Sequence, residues 1–173
     1  MPPILVGSGG FRVDRDRAIE VLRGFQLPDP RDFLAPWLRF AAASKATNVT
    51  AYSRLGGLDV EFDGTPIQRA RLEDPYESLF GETDRSPDLV SGLLGALRLR
   101  PRRVTIYSGQ SRLTIDRFDR QTLEALEKPF TGTSVEVRWK GWFTGRLTRE
   151  CLRRARAARK QIPIPLWIDG KSA

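Results

Sequence analysis

Residues 11–41 read F-R-V-D-R-D-R-A-I-E-V-L-R-G-F-Q-L-P-D-P-R-D-F-L-A-P-W-L-R-F-A, and this stretch decides the fold. It holds two helices and the joint between them. Val13-Asp14 opens the first, with Ala18, Val21, Leu22 and Phe25 at helical spacing and Gly24 weakening its end. Asp29-Pro30 then supplies an N-cap and a proline at the first helical position. Leu34, Trp37, Leu38, Ala41 and Ala42 recur at i, i+3, i+4, i+7 and i+8, the stripe of a helix with one buried face. A central helix is expected over 33–46, lying across a sheet. Pro36 cannot donate to the carbonyl four residues back, so a kink or late restart is expected there.

Working outward, 48–53 and 58–62 read as two strands joined by Arg54-Leu55-Gly56-Gly57, a hairpin with a glycine turn. Asp63-Gly64-Thr65-Pro66 is a turn. Residues 71–88 are polar with scattered anchors at Leu72, Tyr76, Leu79 and Phe80, the pattern of a loop or lid. A helix is expected over 88–99, strands over 104–108, 112–118 and 134–139, and a short helix over 120–127. A basic helix over 146–160 and a strand over 164–168 close the chain. Residues 1–10 are a glycine-rich, flexible lead-in and 11–173 one domain. Hairpin spacing between several strands predicts an α+β fold, a mixed and mostly antiparallel sheet covered by helices on one face.

Composition narrows the chemistry. The chain has 173 residues, 40% of them apolar, enough for a buried core. There is no histidine, which excludes histidine triads and histidine metal sites. The single cysteine, Cys151, excludes an internal disulfide and fits a reducing, cytoplasmic setting. No run is long and apolar enough to span a membrane. The net charge of +8 rests on 24 arginines and five lysines. Two clusters raise a nucleic-acid reading: Arg98, Arg100, Arg102 and Arg103, and a later group containing Arg153, Arg154 and Arg156 downstream of Trp139, Trp142 and Phe143. The alternative is a solvated helix face with tryptophans capping the sheet.

The opening stretch resembles, without a gap, the first two helices of the ATP-binding domain of the heat shock protein 90 chaperones, in the GHKL (Bergerat-fold) superfamily. Further segments follow in the family's order. Ala46-Thr47-Asn48-Val49-Thr50 is similar to A-T-x-I-x-I, and residues 58–64 to the strand ending in D-N-G or D-x-G. Residues 92–97 with 104–108 resemble the helix and strand behind the lid. Gly132-Thr133-Ser134-Val135-Glu136-Val137 is similar to G-T-x-I-x-L, and 153–168 to the closing helix and strand. The resemblance implies a Bergerat-type two-layer α/β sandwich, with ATP and magnesium as the family's ligands.

At the positions that do chemistry in that family the chain departs. In F-L-R-E-L-I-x-N-A the Glu activates water and the Asn helps hold magnesium; here Pro36 and Phe40 stand there. Proline has no titratable group, and a phenyl ring offers magnesium no oxygen. Aligned without a gap, D-N-G falls on Phe62-Asp63-Gly64; one deletion instead puts Asp63 at the adenine-binding position. By resemblance the nucleotide contacts would be Asp63, Gly64, Gly92 and Thr133. Val90 replaces a lid glycine. The expectation is a catalytically degenerate pseudo-ATPase with no catalytic residue, metal or obligatory cofactor, serving an interaction or regulatory role toward a protein partner. Two alternatives stand beside it. One is an ATP-binding domain whose catalytic groups come from elsewhere. The other is a basic nucleic-acid-binding module.

Overall fold

The computed structural model describes residues 28–77, 87–117, 120–141 and 144–173. The helix expected within 11–27, the lead-in, residues 78–86 of the expected lid, Trp142 and Phe143 lie outside these. The elements are a 3-10 turn (Pro30–Asp32), α1 (Leu34–Ala43), β1 (Val49–Arg54), β2 (Gly57–Phe62), α2 (Arg69–Glu73), α3 (Pro87–Arg98), β3 (Arg103–Arg117), β4 (Arg120–Arg138), α4 (Thr144–Arg159), β5 (Leu166–Ile168) and β6 (Lys171–Ser172). The fold is α+β: one six-stranded sheet in the order β3-β4-β2-β1-β5-β6, packed against four helices. All pairings are antiparallel except β1 with β5, which is parallel.

The sheet is two-faced because its strands alternate. Register places Val49 and Ala51 beside Phe62 and Val60, and Leu58 and Val60 beside Val137 and Val135, which in turn meet Val104 and Ile106. All are buried beneath the helices. The opposite face carries Tyr52, Asp59, Glu61, Glu136 and Arg138. There Asp59 accepts from Arg54 Nε at 2.6 Å and pairs with Arg138, while Glu136 lies 3.4 Å from Arg138. Burial, then the neighbouring Asp59 charge, raises the Glu61 carboxyl above its ordinary value. Asp59 and Glu136 are thus paired with arginines of the chain itself.

α1 forms as its stripe predicts, burying Leu34, Trp37, Leu38, Phe40 and Ala41. Asp29 caps the 3-10 turn ahead of it, accepting from Arg31 N at 2.9 Å. Pro36 is at the helix's third position, within the first turn, where backbone N–H groups have no helical partner. The expected late restart does not occur: the helix already begins at Leu34, two residues before the proline, and runs on to Ala43. The helix ends at 43: Lys45 N donates to Ala42 O and Ala46 N to Ala41 O, with Lys45 at φ 64° where glycine is usual. The β1–β2 hairpin turns through Leu55-Gly56, with Gly56 at φ 76°.

Two expectations are corrected. Residues 120–127 are strand, not a short helix: Leu123 pairs with Leu113, Thr122 with Thr114 and Glu124 with Arg112. Leu123 and Leu126 in L-E-A-L-E carry a helical spacing, but pairing with β3 overrides it. At the start of the stretch expected as a loop or lid, 71–73 belong to a short helix, Arg69–Glu73, whose Leu72 is buried, and Tyr76 is buried as well. β6 is too short to announce itself in sequence. Among the described residues no helix is long and apolar enough to cross a membrane.

Candidate functional site

The site begins where α1 crosses β2. Phe40, on the buried face of α1, stands edge-on to Phe62 at the end of β2, ring centroids 6.1 Å apart. Trp37, one turn earlier, stands edge-on to Phe40 at 6.0 Å. All three are buried. Edge-to-face pairs of this kind add about 0.5–1.5 kcal/mol to the area they bury. Pro36 is buried on the same helix. A magnesium ion does not fit these residues, because neither Phe40 nor Pro36 brings a side-chain oxygen.

Asp63 follows Phe62 and, by alternation, turns the other way. Its carboxylate accepts from Thr47 N at 2.8 Å, from the Thr47 hydroxyl, and from Asn48 N at 3.3 Å. The hydroxyl bond, ahead of the backbone bonds, holds the Asp63 carboxyl below its ordinary value. The side chain is exposed, and it ties the end of β2 to the segment entering β1. Gly64 lets this loop close on α1. A Cβ there would lie 2.1 Å from Ser44 Oγ and 2.8 Å from Ser44 O, the carbonyl that accepts from Thr65 N.

Gly92 lies on α3 against α1. A Cβ there would sit 2.7 Å from Trp37 Nε1 and 2.8 Å from Trp37 Cδ1. Trp37 Nε1 is buried without a hydrogen-bond partner among the described residues. Thr133 is fully buried on β4, opposite Phe62 on β2 and Ser108 on β3. Its hydroxyl lies 2.7 Å from Ser108 Oγ, which also donates to Gly132 O at 3.2 Å and accepts from Ile67 N at 2.7 Å. Of the four positions named from sequence, Thr133 lies opposite Phe62, Asp63 turns to Thr47 and Asn48, Gly64 meets Ser44 and Gly92 meets Trp37. Thr47, Asn48 and Ser108 were not singled out from sequence; their signal was adjacency to the segments that carried the resemblance.

The basic clusters divide. Arg154 reaches Asp32 at 2.9 Å, Asp29 at 2.9 Å and Glu150 at 2.9 Å, and Arg153 reaches Glu150 at 2.7 Å. These pairs fasten α4 to the 3-10 turn. Side-chain hydrogen bonds from Arg153 and Arg154 lower the Glu150 carboxyl to about 2, and the bond from Arg31 lowers Asp29 to about 2. Arg156 is exposed on the same helix. Arg102 and Arg103 are exposed where β3 begins, lining a notch of about 310 Å³ with Leu55, Gly56, Arg138 and Trp139. Trp139 is itself buried, not a free stacking surface. Arg98 closes α3 and Arg100 follows it at φ 51°. Cys151 is buried, and burial pushes its thiol up to about 12. Among the described residues no group of three or more acidic or cysteine side chains is placed to hold a metal ion. Compared with known proteins, the chain matches no family model and no curated sequence.

Proposed function

We propose that this chain is a GHKL-type, heat shock protein 90-like ATP-binding scaffold whose catalytic apparatus has been replaced, and that it works as an interaction or regulatory domain. One observation carries the reading: Phe40 and Phe62 pack edge to face between α1 and β2. In the resembling family, those two elements wall the nucleotide cleft. Two phenyl rings there take up volume and give a phosphate or a metal nothing to bond. Three further features support it. Pro36, at the water-activating position, has no proton to exchange. Asp63, the candidate adenine partner, directs its carboxylate at Thr47 and Asn48. Gly92, the candidate phosphate-side glycine, is held against Trp37.

The ion pairs of Arg153 and Arg154 argue against the basic-module alternative on α4, since those guanidinium groups already face carboxylates. The test is steady-state ATP hydrolysis with magnesium, which is expected at background. Turnover that survives further purification and disappears in Asp63→Ala would replace this reading with a working ATPase domain.

A further inference from the structure

Where β3 begins, Arg103 stands directly opposite Arg138 of β4, so the two side chains leave the same face of the sheet. Like charges opposed across strands cost stability. The nearest carboxylates in register are committed elsewhere: Asp59 pairs with Arg54 and Arg138, and Glu136 lies 3.4 Å from Arg138. Arg102 and Arg103 are exposed, and among the described residues neither forms an ion pair. They border a notch of about 310 Å³ whose other walls are Leu55, Gly56, Arg138 and Trp139. Gly56 supplies the positive φ of the β1–β2 turn, so the turn asks nothing particular of residue 55. Leucine nevertheless stands there, fully exposed at the rim of the notch. Two cations without a countercharge and an apolar wall thus meet in one concave place.

We propose that this notch docks an acidic peptide segment of a protein partner, its carboxylates on Arg102 and Arg103 and an apolar side chain against Leu55 and Trp139. Guanidinium groups hold carboxylates through paired, charge-assisted hydrogen bonds. Leu55 offers a phosphate backbone nothing, and the Trp139 ring is buried and gives a base no face to stack on, which favours peptide over nucleic acid. Neither Phe40 nor Phe62 lines the notch, so the inference extends the proposed interaction role without depending on how nucleotide behaves.

The probe is a fluorescent decapeptide of glutamate, aspartate and glycine with one central leucine. It is titrated with the whole chain at physiological ionic strength and followed by anisotropy. Saturable binding is expected, weakening as salt rises. Arg102→Glu and Arg103→Glu should each weaken it by about tenfold or more, whereas Arg156→Glu, the same charge change at an exposed α4 position, should leave it within about twofold. Leu55→Ser should weaken the leucine peptide and leave its leucine-to-glycine counterpart unchanged. Glutamate at 103 would face Arg138, so Arg103→Glu should keep or raise the melting temperature, separating lost binding from lost folding. The absence of saturable binding overturns the inference. So do equal losses in Arg156→Glu and Arg103→Glu, a leucine peptide held no better than the glycine one, and a melting temperature lowered in Arg103→Glu. A single-stranded oligonucleotide of equal charge that binds more tightly, and is lost in Arg103→Glu, would assign the surface to nucleic acid and overturn it too. ATP turnover would end the scaffold reading and leave these titrations standing, whereas a failed titration ends this inference alone.

Discussion

Replacing Gly92 with alanine separates a packing glycine from a ligand-binding one. The added Cβ would lie 2.7–3.0 Å from three atoms of the Trp37 indole, whereas carbon contacts relax at about 3.5–4.0 Å. Trp37 is fully buried and edge-on to Phe40, so the ring cannot swing aside without moving the aromatic pair. Overpacking of this kind costs ~1–3 kcal/mol, and the helix gains ~1 kcal/mol from exchanging glycine for alanine, leaving a net loss of up to about 2 kcal/mol. For a domain of this size that is a fall in Tm of up to about 8 °C. Thermal and urea melts of Gly92→Ala, Trp37→Phe and the double variant measure it. The double variant should be less destabilised than the sum, because the smaller ring gives the methyl room. A Gly92→Ala protein about 1 kcal/mol more stable than wild type would show only helix propensity at work and refute the close contact.

Thr133→Val should lower stability by about 1 kcal/mol in urea melts, and a cycle with Ser108→Ala should show coupling, because each hydroxyl is the other's buried partner. Acid titration should reveal the ion-pair cluster: Asp29 and Glu150 start from 3.8 and 4.5 and are lowered to about 2. Depressed carboxyls give stability that is full above the ordinary values and lost as pH falls through that window, so Tm should drop from about pH 4.5 toward 2, and drop less in Arg154→Met. Cys151 should resist a thiol-reactive disulfide reagent at neutral pH in the folded protein and react on unfolding in urea, since burial both shields the sulfur and disfavours its thiolate.

What could be read from the chain follows how local each signal was. The β1–β2 hairpin was legible because alternation and the Gly56-Gly57 turn lie within about 14 residues, and α1 and α3 because their apolar stripes are self-contained. The strand at 120–127 was not: Leu-Glu-Ala-Leu-Glu is locally helical, and only a partner across the hairpin makes it extended. At the site, the lack of a titratable or metal-binding side chain at Pro36 and Phe40 was visible directly, and alternation placed Phe62 on the covered face. The diversion of Asp63 to Thr47 was hidden, since it depends on how a 16-residue separation closes. The Glu150–Arg154 pair had the i, i+4 spacing of a helical ion pair. Its extension to Asp32, 122 residues away, had no sequence signal.

The scaffold reading rests on Phe40 and Phe62 occupying the space a nucleotide would need, and ligand linkage measures that directly. A native site with ligand at about 100 times its dissociation constant stabilises the fold by about 2.7 kcal/mol. The melting temperature should therefore be followed with millimolar magnesium-ATP, with magnesium and tripolyphosphate, and in high salt. The account predicts no adenine-specific shift; any small rise from binding to the basic surface should be shared by tripolyphosphate and fade with salt. A salt-resistant rise seen with ATP alone and abolished by Asp63→Asn would contradict it.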